Sequence, residues 1–99
     1  MTQNQKIQHA KQRFLIAALK AEAAMSPFLD KMESTEGQLG LAMLSGVAAC
    51  IHAGTATSKN LANAIKKASV ISGIPVDVLE VQAQLSIAMF SAYQLTRSH

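Results

Sequence analysis

Apolar residues recur along the first third of the chain at alternating spacings of three and four, which places them on one face of an α-helix. Thr2 and Gln5 stand three residues apart before this series, as in a capping box. Pro27 has no backbone N–H to donate. The pattern therefore predicts a helix over residues 3–25, a kink near Pro27 and a short extension to about residue 33. The series comprises Ile7, Ala10, Phe14, Ala17, Ala21, Ala24 and Phe28.

The next helical segment, about residues 36–53, is apolar on every side. A helix without a polar face is typical of the middle of a bundle, so we expect this one to be surrounded by the others. Thr35 and Gln38 form a second possible capping box, and Gly54 supplies the left-handed stop. Cys50 lies within the segment, where a free thiol behaves as a small hydrophobe. We expect a structural role for it.

Two further helices follow, each with start and stop signals. The third covers about residues 58–72 and ends at Gly73. Pro75 opens the fourth, since proline favours the first helical position. Arg97 and His99 lie near its C-terminal end, where cations meet the negative end of the helix dipole. The predicted buried faces are Leu61, Ile65, Ala68 and Ile71 on the third helix, and Val78, Val81, Leu85, Ala88, Ala92 and Leu95 on the fourth.

The short connections between these segments predict a single domain over residues 1–99, a compact all-α bundle of four main helices with neighbours packed roughly antiparallel. Of the 99 residues, 49% are hydrophobic and 15% are charged, against about 25% charged in an average protein, so the chain is expected to fold. The longest apolar stretch, residues 39–51, falls short of the roughly 20 residues that a bilayer span requires. We expect no membrane segment and a cytoplasmic location.

Catalytic chemistry finds no support in the residue pattern. Cys50 and His52 are the obvious nucleophile and base, but two positions on a helix lie about 200° apart around its axis. The three histidines, His9, His52 and His99, lack the spacing of a metal site, and no glycine-rich phosphate loop follows a strand. We predict a protein that is not an enzyme, with no catalytic residue, no metal and no cofactor.

Apolar side chains exceed what a small bundle can bury, since a chain of this size hides only about 60–65% of its unfolded surface. Ile16 falls between Arg13 and Lys20, and Ile87 falls in the centre of a polar stripe on the fourth helix. Single exposed apolar residues are common, but this excess favours a contact surface. We predict an adaptor, small chaperone or inhibitor-like module that binds another protein or itself as a homodimer. The predicted interface residues are Phe14, Ile16, Leu19, Ile87 and Phe90.

A nucleic-acid-binding regulator is the alternative, because the formal net charge is +3 and the third and fourth helices meet at a tight turn. Lys59, Lys66 and Lys67 are its candidate contacts. Against it, the N-terminal turn of the fourth helix carries Asp77 and Glu80, where a recognition helix needs groups that contact bases and phosphates. A solvated basic face is the competing interpretation of the lysines.

Overall fold

The computed structural model describes residues 2–97, and every regular element within them is helical. His99 lies outside the described residues. The prediction of an all-α bundle of four main helices, the first of them interrupted near Pro27, is confirmed. The elements are α1 (Gln3–Met25), a 3₁₀ turn (Ser26–Phe28), α2 (Leu29–Glu33), α3 (Thr35–His52), α4 (Ser58–Ser72) and α5 (Val76–Arg97).

Local signals at the helix ends explain these boundaries. The Thr2–Gln5 capping box is confirmed: the Gln5 amide donates to Thr2 Oγ1 over 3.2 Å, and the Thr2 amide donates to Gln5 Oε1 over 3.0 Å. The second predicted box is wrong by one residue, because Ser34 caps α3 by accepting from the Gly37 amide over 3.0 Å. Gly54 adopts a φ of 82°, a left-handed conformation that glycine reaches without strain.

Helix α5 occupies the centre of the fold. It contacts α3 and α4, and it also forms the most extensive helix pair of the molecule with α1. Helix α1 therefore packs mainly against the last helix rather than the next one. The expectation that the second predicted helix is surrounded on all sides is wrong: α3 buries Gly37, Gly40, Leu44 and Ala48, whereas Leu39 is 58% exposed.

The core lies among α3, α4 and α5, with Met25 reaching it from the end of α1. Leu44, Ile74 and Leu79 are its largest fully buried side chains. On α4, burial of Leu61, Ile65 and Ala68 agrees with the predicted face. Two expectations about burial are wrong. Ile71 is exposed, because it lies at the edge of the face of α4 that buries Ile65, Ala68 and Ser72. Cys50 is also exposed, because it lies on the side of α3 that no helix covers.

The bundle is flattened, with principal extents of 43 × 29 × 19 Å. Its radius of gyration is 14.0 Å, against about 12.6 Å for an average domain of this length. Since helices pack with axes about 8–10 Å apart, the shortest dimension accommodates only two helical layers. Each helix therefore keeps an outer face toward solvent, and this is why α3 is not enclosed.

The cap of α4 gives a direct test of these local signals. The backbone amide of Asn60 donates to Thr57 Oγ1 over 3.3 Å. The backbone amide of Thr57 donates to the side-chain oxygen Asn60 Oδ1 over 2.8 Å. Thr57→Ala removes the hydroxyl acceptor, so we expect a loss of about 1 kcal/mol in the free energy of unfolding. Urea denaturation measures it. Ser58→Ala, one residue further, is the control and should change stability by less than about 0.5 kcal/mol; equal losses would contradict the cap assignment.

Candidate interaction surface

The outer face of α1 carries three large apolar side chains. Leu15, Ile16 and Leu19 are 60%, 54% and 67% exposed. Around the helix they lie opposite the buried Ala10 and Ala21, and residues three and four apart on a helix are neighbours. We call these three side chains the α1 ridge. Exposed apolar residues that stand singly are ordinary, but a contiguous group is typical of a contact surface.

A groove of about 590 Å³ runs beside this ridge, between α1 and α5. Ile16 belongs to both features, so ridge and groove form one continuous surface. Small and branched apolar side chains make up much of the lining. Helix α1 contributes Arg13, Ile16, Ala17 and Lys20; α5 contributes Asp77, Glu80, Val81, Ala83, Gln84 and Ala88; and α4 contributes Ile65.

The charges of the groove are separated by helix. Both cations, Arg13 and Lys20, come from α1, and both carboxylates, Asp77 and Glu80, come from α5. All four side chains are exposed. Among the described residues, no ion pair joins the two sides. The groove therefore has an apolar floor, a positive side and a negative side, and both charged sides stay open to a ligand.

The turn between α4 and α5 fixes the position of the negative side. Gly73 ends α4 in the left-handed conformation, with a φ of 74°. The Ser69 hydroxyl donates to the Ile74 carbonyl over 2.6 Å, and the Ile74 amide donates to Ser72 Oγ over 3.1 Å. Because Ile74 is fully buried, these bonds hold the start of α5 against the core. Asp77 therefore projects from a well-anchored first turn.

A second cleft, of about 630 Å³, lies between the C-terminal ends of α3 and α5. His52 stacks on Phe90 there, with ring centroids 6.2 Å apart and ring planes at 24°. The Arg97 guanidinium lies 5.8 Å from the centroid of the Tyr93 ring, within the range of a cation–π contact. The contact between the His52 and Phe90 rings joins the C-terminal ends of α3 and α5. Phe90 therefore packs against α3 and not against the α1 ridge.

The five predicted interface residues are not brought together. Ile16 and Leu19 lie on the α1 ridge, while Phe14 is half-buried on the same helix. Phe90 lines the second cleft. The expected exposure of Ile87 is wrong: this side chain is half-buried and packs against the core. The reason is that α5 has neighbours on two sides, so a stripe that looks polar in sequence still includes positions facing another helix.

The three lysines proposed for nucleic-acid contact, Lys59, Lys66 and Lys67, are all exposed on α4. They lie away from the buried Leu61 and Ala68, on the outer side of the helix. Val70, on the same outer side, is the most exposed large apolar residue at 86%. Exposure of the lysines is compatible with a solvated basic face and with a partner surface alike.

The described part of the chain brings no three His, Cys, Asp or Glu side chains close enough to hold a metal ion. His52 and Cys50 are both exposed near the end of α3, and His52 is paired with Phe90 rather than with the thiol. No helix within residues 2–97 has both the length and the apolar character needed to cross a bilayer.

Sequence reasoning identified the ridge in part and missed the groove. The run from Phe14 to Leu19 signalled apolar excess, and Ile16 between Arg13 and Lys20 marked the right region. The opposing carboxylates were not connected with it, because their proximity depends on the pairing of α1 with α5. A usable signal was present: Arg13 and Lys20 lie seven residues apart, and hence on one side of their helix.

The fold and this surface define a small all-helical protein with an open groove of mixed charge. No protein-family model, curated protein or solved structure matches the chain.

Proposed function

We propose that this chain is a non-enzymatic protein–protein interaction module of the adaptor, small-chaperone or inhibitor type. Its contact surface is the α1 ridge together with the groove between α1 and α5. The observation that carries the proposal is the exposure of Leu15, Ile16 and Leu19 in one contiguous group beside an apolar groove. Removing such a surface from water stabilises the complex with a partner by about 25 cal/mol per Å² of apolar area buried.

The total accessible surface supports the proposal. The chain exposes 6375 Å², whereas a compact monomer of 10.5 kDa exposes about 5,400 Å². The difference, about 1,000 Å², is slightly more than the roughly 800 Å² that each partner contributes to a standard interface. The flattened shape produces this excess, because two helical layers enclose little volume for the area they present.

The dimensions of the groove favour a helical ligand. Its α5 side extends from Asp77 to Ala88, about 16 Å along the helix axis, which matches three helical turns. An amphipathic helix recognises such a groove with apolar side chains at positions i, i+3, i+4 and i+7. Charges on its flanks would meet the two sides of the groove and fix its direction.

Capture from native extract, followed by mass identification, tests the proposal. Ile16→Glu/Leu19→Glu places two charges on the ridge, so we expect the captured partner to fall by about tenfold or more, since removing a central apolar anchor of an interface costs about 2 kcal/mol or more. Circular dichroism verifies that the variant keeps its helix content.

The matched control for that experiment is Val70→Glu, a charge placed on an exposed apolar position of α4 that belongs neither to the ridge nor to the lining of the groove. It should capture as much partner as the original chain. Equal capture by all three proteins, or equal loss in both variants, would refute the assignment of the contact surface to α1.

The acidic start of α5 disfavours a nucleic-acid partner. Asp77 lies in the first turn of α5 and Glu80 in the next, and these two exposed carboxylates would repel phosphate. Binding through Lys59, Lys66 and Lys67 would weaken steeply with salt, so retention on DNA at low ionic strength, lost on substitution of these lysines, is the result that would revive it.

A further inference from the structure

We infer that the partner at this surface is a second copy of the chain, in a twofold dimer that lays α1 of each copy over α5 of the other. This inference rests on the proposed function and names its ligand.

The groove is complementary to itself. Its positive side, Arg13 and Lys20, and its negative side, Asp77 and Glu80, run along an apolar floor. In a twofold dimer, a contact between residues i and j is matched by the contact between j and i. When the axis runs along the groove, each positive side meets the partner's negative side. An axis across the groove would instead oppose like charges.

The same placement matches apolar surface with apolar surface. Helix α1 of one copy then lies against the outer side of α5 of the other, so that Ile16 approaches Val81 and Ala88. Each of these side chains lines the groove, and Ile16 is 54% exposed in the single chain. The pairing therefore covers Ile16 together with the lining of the groove and places the cations beside the partner's carboxylates.

The four charged side chains of the groove support a contact in trans, although Asp77 Oδ1 accepts a hydrogen bond from the Val78 amide over 3.0 Å. Within a single chain, no ion pair links the four groove side chains, all of which are described. Opposite charges on neighbouring surfaces steer association and specify register more than they raise affinity. The surplus surface of the isolated chain, about 1,000 Å², is also large enough for the roughly 800 Å² that each copy contributes to a standard interface.

Charge reversal in separate protomers tests the inference. Arg13→Glu/Lys20→Glu reverses the positive side, and Asp77→Lys/Glu80→Lys reverses the negative side. In either variant alone, like charges meet at both halves of the interface, so we expect self-association to weaken by about tenfold or more at low salt. Mixed in equal amounts, the two variants should form a heterodimer, because every opposed pair then carries opposite charges. Sedimentation equilibrium and native mass spectrometry measure both.

The outcomes are distinct. Dimers of the original chain, weak self-association of each variant and recovery in the mixture support the inference. A chain that stays monomeric at about 100 μM overturns it, while the proposed function survives if Ile16→Glu/Leu19→Glu still abolishes capture of another protein. A dimer that tolerates both charge reversals and the ridge substitutions uses another face and also overturns the inference, whereas the proposed function fails only if the ridge substitutions leave capture of another protein unchanged. The Val70→Glu variant should dimerise like the original chain.

Discussion

Leu79→Ala is expected to lower the free energy of unfolding by about 3 kcal/mol, because truncating a buried leucine loses transfer free energy and leaves a cavity. Leu79 is fully buried at the centre of the core, on the helix that contacts α1, α3 and α4. A domain of this size has only about 5–15 kcal/mol of stability. For about 100 residues, the melting temperature should fall by roughly 12 °C or more. Urea denaturation and calorimetry measure both quantities.

The control for this prediction is Leu39→Ala, the same truncation at a position of α3 that is 58% exposed. It should change stability by less than about 0.5 kcal/mol. If the two substitutions had similar effects, Leu79 would not lie in a packed core and the central position of α5 would be wrong.

Gly37→Ala is expected to cost about 3 kcal/mol, at the upper end of what overpacked positions lose. A methyl group at Gly37 would overlap the backbone carbonyl of Lys31. That carbonyl also accepts from the Ser34 hydroxyl, which caps α3. Relief of the overlap requires backbone movement, so the junction of α2 with α3 and the cap would be disturbed together. Urea denaturation gives the loss, and circular dichroism reports any change in helix content.

Gly46→Ala is the matched control, because Gly46 is a helical glycine on the exposed side of α3 with nothing within 4 Å of the added methyl group. Alanine loses less backbone entropy than glycine in a helix, so this variant should gain about 0.5–1 kcal/mol. Opposite signs for the two glycines are the expected result. Stabilisation by both substitutions would show that α2 does not approach α3 as described.

The helix plan followed from the sequence because its signals are local. A capping threonine, a left-handed glycine and a proline act on residues within one turn. The third helix was predicted over residues 58–72, and α4 spans Ser58–Ser72. The shift of the α3 cap from Thr35 to Ser34 shows the limit of this reasoning, since adjacent hydroxyl residues offer the backbone equivalent partners and tertiary contact decides between them.

Burial was harder to predict, since it depends on which helices become neighbours. An apolar circumference on the second predicted helix suggested enclosure, but a two-layer bundle has no enclosed position, and α3 exposes Leu39 and Cys50. The reverse applies to Ile87, whose polar sequence neighbours concealed its contact with the core. The groove escaped prediction for the same reason, because Arg13 and Glu80 are brought together only by the pairing of the first helix with the last.

Helix α1 is attached to the rest of the fold mainly through α5, so unfolding of the chain need not be fully cooperative. A helix held mainly by one neighbour, and joined to the rest through the turn at Pro27, can open as a local unfolding unit while α3, α4 and α5 keep their structure. Amide deuterium exchange would then be fastest in α1. Any ligand that bridges α1 and α5 would suppress this opening. Amide exchange in α1 should therefore become slower as more of the surface is occupied.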